Sequence, residues 1–151
     1  MRTFESGAIR DSNEGKGRCD LLPLDVICDL VDYSSLGNTL TYIKAFQDKG
    51  DYKILLELLE FEIGCIYDDL LLISLRFEEG AYKYGDDNWQ KGIPVNVYID
   101  SGFRHYLKYK RGDKDESHRI AFLWNIMCCI WTCKNIPEMN VYAIMNKKEL
   151  G

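Results

Sequence analysis

The chain has no excess of positive charge. Its 19 Lys and Arg against 24 Asp and Glu leave a net charge of -5, which argues against a polymeric nucleic acid as partner. It has no apolar run long enough for a bilayer. The longest, Ile120 to Trp131, is interrupted by Asn125, so no membrane association is expected. None of its six cysteines forms a C-x-x-C pair and no signal sequence is recognisable ahead of them. Reduced thiols and a cytoplasmic location are the expectation. With only two histidines and no His-Asp dipeptide, an HD-type metal hydrolase is disfavoured. Cys129 and Cys133 stand four apart without a nearby histidine, which reads as packed thiols rather than a zinc site. No Walker spacing, Ser-His-acid triad, internal repeat or convincing strand alternation is present.

What remains is a globular, helical chain. Its 151 residues, 46% hydrophobic and 13% aromatic, suit a single domain over 1–151 with a real core. The first 22 residues, rich in glycine and charge, read as an ordered loop. Pro23 opens a short helix carrying Leu24, Ile27, Leu30 and Val31, broken by residues 34–37; Asn38 can cap a second helix through Phe46. Asp51 is expected to cap a long third helix reaching Gly85, with Gly64 and Gly80 as candidate breaks. A fourth helix starts near Pro94 or Val95 and runs to about Tyr109. Asp115 is expected to cap a fifth reaching about Lys134, and Pro137 opens a short terminal one. The predicted fold is all-α, a bundle of about five helices with an ordered glycine-rich, basic N-terminal loop.

Two stretches hold charge that packing does not explain. In GAIRDSNEGKGRCDLLP (7–23), Arg10, Lys16 and Arg18 are strung between glycines, a composition suited to approaching an anion. In FEEGAYKYGDDNWQKGIP (77–94), Glu78, Glu79 and Lys83 project near a helix end. Carboxylates suit a hard cation and Lys83 a phosphate. Asn88 and Trp89 follow, an amide that can read a base edge and an indole that can stack on it. Further on, Asp100 and Arg104 share a helical face, which a salt bridge alone would also explain. His105 is adjacent to that face. His118 shares a stripe with Phe122 and Asn125. The fifth helix carries no charge between Arg119 and Lys134, so it is expected to be buried nearly all round, and Asn125 needs an internal partner or a substrate contact.

These two stretches, with YIDSGFRHYLKYKRGDKDESH and AFLWN, resemble the dATP/dGTP diphosphohydrolase-like domain family of phages and prophages, which is linked to all-α nucleoside triphosphate pyrophosphohydrolases. Residues 31–75 carry no matching motif and read as a helical insertion between the loop of 1–22 and motif-bearing helices at 76–134. The resemblance implies hydrolysis of dATP or dGTP to the monophosphate and pyrophosphate, with Mg²⁺ or another divalent cation as cofactor. The implied metal ligands are Glu78, Asp100 and Glu116; the implied catalytic residues are Asp115 and His118. Arg10, Lys16, Arg18, Lys83 and Arg104 would meet the phosphates. Asn88, Trp89, Lys91, His105 and Asn125 would complete substrate binding. Related enzymes assemble across helical faces, so a homodimer or larger is expected, with the apolar face between Ile54 and Phe77 as interface. The rival expectation is a phage anti-defence protein that sequesters or cleaves a cyclic-nucleotide or ADP-ribose-type signal. A helical interaction module is the third.

Overall fold

The computed structural model describes residues 1–12, 14–27 and 39–150. Leu30, Val31, the break at 34–37 and the Asn38 cap lie outside the described residues, while residues 24–27 are helical as expected. The architecture is all-α. Its helices are α1 (Thr39–Lys49), α2 (Tyr52–Glu62), α3 (Ile66–Tyr84), α4 (Val95–Arg111), α5 (His118–Asn135) and α6 (Val141–Leu150). Short 3-10 turns lie at Cys19–Leu21, Asn88–Lys91 and Pro137–Met139.

The central pair is α4 with α5; α2 and α3 pack on α5, and α6 closes against α1 and α4. The core is one cluster built around Tyr98, Phe103, Phe122, Leu123 and Ile126, with Phe46 and Leu55 from the outer helices. Buried residues on α5 include His118, Phe122, Asn125, Cys129 and Cys133. That matches the charge-free run. The buried thiols pack as free cysteines, and burial pushes Cys129 well above its ordinary pKa.

Local chemistry accounts for the boundaries. Asp51 caps α2 by accepting from the Lys53 N–H at 3.0 Å, a contact typically worth about 1 kcal/mol. The predicted long third helix is two helices, broken at 63–65 where Ile63 turns extended. Gly80 lies within α3 and causes no break. The Gly64 N–H at the break donates to Asp69 Oδ2 at 2.9 Å. Asp69 in turn accepts from both Nη atoms of Arg119 on α5, at 2.9 and 2.7 Å. A buried carboxylate therefore pins the kink to the core. Gly50, between α1 and α2, has φ +70, and a side chain there would collide with the Ala143 backbone of α6. Glycine is required on both counts.

Two expectations are corrected. The N-terminus is not only loop: β1 (Arg2–Thr3) pairs antiparallel with β2 (Ile9–Arg10), with Arg2 opposite Arg10. The cap of α5 is Ser117, not Asp115; Asp115 instead accepts from His118 Nε2 at 2.7 Å. The outer face of α3 is unusual. Along its 19 residues only Asp69 and Ile73 are buried, leaving Ile66, Tyr67, Leu71 and Leu75 at least half exposed. No helix of the described residues is long and apolar enough to cross a membrane.

Candidate functional site

A cavity of about 630 Å³ lies between the N-terminal hairpin, the C-terminal half of α3, the 88–91 turn and the face of α4. Its size is that of a small-molecule site. Among residues singled out from the sequence, Arg10, Lys16, Lys83, Arg104 and His105 line it, as do Glu78, Asn88, Trp89 and Glu116. Arg18, Lys91, Asp100, Asp115, His118 and Asn125 do not line it.

Arg10 is the pivot. Strand β2 carries it inward, and its guanidinium lies 5.3 Å from the Tyr98 ring centroid and 5.7 Å from that of Trp124. Its hydrogen bonds go to Ser101 Oγ at 3.2 Å and to Asn125 Oδ1 at 3.4 Å from each Nη. All these partners are neutral. Burial lowers its pKa, the sign of a cation short of counter-charge. Asn125 thus finds its partners inside: Oδ1 faces Arg10, and Nδ2 donates to the Ala121 carbonyl at 2.8 Å. It holds the arginine from behind.

Asn88 does not offer its amide edge to a ligand. Its Oδ1 accepts from the Ile9 N–H at 3.0 Å and its Nδ2 donates to the Ile9 carbonyl at 2.9 Å, so it acts like one more strand residue and sets the depth of β2. Trp89 lines the cavity while its ring is held by Phe77 and Trp131, at centroid distances of 5.4 and 4.8 Å. The expected metal trio also separates. Asp100 is 3% exposed and both its oxygens bond Arg104 Nη2 at 2.8 Å. It also accepts from the Cys19 N–H at 2.5 Å. Arg104 continues to the carbonyls of Lys16 and Gly17, clamping the glycine-rich loop onto α4. Arg18 forms a two-bond pair with Asp20 at 2.8 Å and does not line the cavity.

Asp11, Tyr84 and Arg76 also stand on the cavity wall, though residue type alone does not single them out. The Tyr84 hydroxyl bonds Asp11 and holds its carboxyl below the usual range. Burial and that neighbour push Tyr84 up to about 12. Tyr84 sits in the same KYGDDNW run as Lys83, so its place on the helix was the available signal. Arg76, one residue before the FEEG string, reaches Glu116 Oε1 at 3.2 Å.

At the Glu116 end the two histidines meet. His105 Nδ1 and His118 Nδ1 are 2.9 Å apart. Two lone pairs cannot face each other at that distance, so a proton or a metal ion lies between them. His118 is buried and its Nε2 donates to Asp115. Burial, with Arg76 and His118 nearby, lowers His105 to about 3, which disfavours its imidazolium. His105 Nδ1 is 4.0 Å from Glu116 Oε1. Among the described residues, the groups of three whose ligand atoms come within 4.8 Å of one another are His105–Glu116–His118 and Asp113–Asp115–His118. Neither contains Glu78 or Asp100.

This arrangement of cations, aromatics and a polar end is built largely by residues 77–125. Residues 43–141 match the family described as dATP/dGTP diphosphohydrolase, N-terminal. The chain belongs to this family. The matched span includes α3, α4 and α5, begins inside the 31–75 segment, and leaves the 7–23 loop outside it. No curated protein and no solved structure gives a significant match. Membership fits the all-α fold and supports a nucleotide-hydrolase type of function.

Proposed function

We propose that the cavity binds a purine deoxynucleoside triphosphate and that the protein hydrolyses dATP or dGTP to the monophosphate and pyrophosphate. The observation that carries this reading is Arg10, a cation on the wall of a nucleotide-sized cavity whose hydrogen bonds all go to neutral groups. An anion is the partner such a guanidinium needs. Lys16 and Lys83 enter the same space and would meet further phosphate oxygens. The edge of Trp89 offers an apolar contact for the base.

Hydrolysis requires a water to attack the α-phosphorus while the bond from that phosphorus to the bridging oxygen breaks. Pyrophosphate then leaves, and the water proton passes to a carboxylate on the cavity wall other than those that would hold the ion. Arg10 and the lysines stabilise charge on the departing oxygens. Mg²⁺ arriving with the triphosphate keeps several waters and needs only one or two carboxylates. Glu78 and Glu116, both on the cavity wall, would supply them, and the ion would neutralise phosphate charge. Asp115 and His118 do not line the cavity, so in this reading they act through His105.

The test is incubation of purified protein with dATP, dGTP, cyclic dinucleotides and ADP-ribose derivatives, with and without Mg²⁺, resolved by chromatography before and after heating. Formation of dAMP or dGMP with pyrophosphate supports the reading. A ligand depleted by native protein and recovered intact on heating would replace it with the sequestering, anti-defence one. That alternative draws on the engagement of Asn88 and Asp100 within the fold. For self-association we propose a homodimer across the apolar face of α3. Gel filtration of Leu71→Glu and Leu75→Glu showing the same particle size as the parent would count against it.

A further inference from the structure

We infer that His105, His118 and Glu116 form a binding site for a first-row transition dication such as Mn²⁺, Co²⁺ or Zn²⁺, at the Glu116 end of the cavity. The donor set decides the class of ion. Two imidazole nitrogens and one carboxylate suit borderline transition ions, whereas Mg²⁺ favours oxygen alone.

The spacing agrees. Nitrogens each about 2.1 Å from one ion lie roughly 3.0 Å apart at a right angle, and two such donors can reach about 4.2 Å in trans. The Nδ1 atoms are 2.9 Å apart, and Glu116 Oε1 is 4.0 Å from His105 Nδ1. A dication would replace the proton that otherwise lies between the rings.

The surroundings are those of a supported ligand. Metal-bound histidines usually donate their second ring N–H to a carboxylate, which fixes ring orientation and raises donor strength. His118 does so: its Nε2 bonds Asp115 at 2.7 Å while its side chain is 1% exposed. His105 and Glu116 line the cavity, so the remaining coordination positions face the space where a phosphate or water would lie. Arg76 competes. It pairs with Glu116 at 3.2 Å, and loading the site would release its guanidinium toward the cavity. The neighbouring Asp113–Asp115–His118 group is weaker, since Asp113 is held by Arg111.

The site rests on the reading of the cavity as a nucleotide pocket only for its role, not for its existence. The experiment is titration of the full chain with Co²⁺, followed by its visible absorption and by calorimetry, with Mg²⁺ as competitor. One ion per chain, bound in the presence of excess Mg²⁺, is expected. Glu116→Gln and His105→Asn should each weaken binding by 10–100-fold, with helical circular dichroism intact. Asp115→Asn should weaken it by about 10-fold, and Asp113→Asn should leave it unchanged. Co²⁺ bound no more tightly than Mg²⁺ overturns the inference. So does wild-type affinity in both the Glu116 and His105 variants, which also guards against His118 variants that fail to fold. Turnover of dGTP with Mg²⁺ and no Co²⁺ binding would sink this site and leave the proposed function standing. Tight Co²⁺ binding with no nucleotide cleaved would do the reverse.

Discussion

Arg119 and Arg10 are both half-buried arginines, and they are treated in opposite ways. Arg119 meets a carboxylate: two bonds to Asp69, a third to the Glu62 carbonyl at 3.0 Å. Its pKa rises because of that hydrogen-bonded pair. Arg10 meets two aromatic rings and two neutral oxygens, and its pKa falls through burial. A paired cation locks two helices and a kink together. An arginine with only neutral partners keeps its attraction for an anion unsatisfied, which is why the proposed function rests on Arg10 and not on Arg119.

The largest expected effect breaks that contrast at Arg10. Arg10→Gln should weaken binding of dGTP or inorganic triphosphate by at least about 100-fold, the scale of losing one charge-stabilising donor. Its thermal stability should stay within about 1 kcal/mol, because no ion pair is lost. Arg119→Met should do the reverse, costing about 3 kcal/mol of stability by stranding Asp69 and leaving ligand affinity in the folded protein near that of the parent. Equilibrium denaturation and calorimetry on both variants check the pair. Equal losses of affinity in the two would erase the distinction.

The second effect is pH-dependent and concerns Asp69. The Arg119 hydrogen bonds, then the Gly64 N–H, hold its carboxyl below the usual aspartate range. The unfolded chain therefore binds a proton first as pH falls. The stabilisation is complete above the ordinary carboxylate range and is lost as pH drops from about 4 through the depressed native value. Asp69→Asn should flatten that segment of the stability–pH curve and lower stability at pH 7 by about 2–3 kcal/mol. An unchanged acid limb would show that other carboxylates control it.

How far all this could be read in the sequence depends on what each residue bonds to. The helices of the bundle were legible because apolar spacing and caps are local; Asp51 caps α2 as its position suggests. The charge-free stretch after Arg119 announced a buried α5. The N-terminal hairpin was not legible, since two-residue strands carry no alternation and Ile9 is fixed by a side chain 79 positions away. The cavity's basic members were recognisable by type. Which polar residues meet a ligand and which support the fold was not: Asp100 and Asn88 have the chemistry of ligand contacts, yet each accepts from a backbone N–H distant in sequence, Cys19 and Ile9 respectively. The meeting of His105 with His118 was likewise hidden, because it follows from how α4 and α5 cross.

A third, smaller effect probes that support. Asn88→Ala removes both bonds to Ile9 and leaves its backbone N–H and carbonyl without those partners. The expected cost is about 1–3 kcal/mol in stability, together with a loss of ligand affinity of roughly 10-fold as β2 and Arg10 lose their register, within the usual range for coupled polar contacts. Affinity unchanged in the folded variant would show that the hairpin holds Arg10 without Asn88.

The smallest effect is also the most selective. Gly102 lies where α4 crosses α5, and an added Cβ there would sit 3.1 Å from Asn125 Cβ and 3.8 Å from Phe122 and Ile126 side-chain carbons. Alanine is favoured over glycine within a helix by up to about 1 kcal/mol, which offsets much of the crowding. Gly102→Ala should therefore leave stability nearly unchanged. The displaced neighbour, however, is the amide whose Oδ1 already meets Arg10 at a long 3.4 Å. A shift of a few tenths of an ångström breaks that contact and lets the guanidinium drift, so dGTP affinity should fall several-fold while the melting temperature holds. If affinity holds as well, Asn125 is a packing residue and Arg10 is positioned by Ser101 and the two aromatic rings alone.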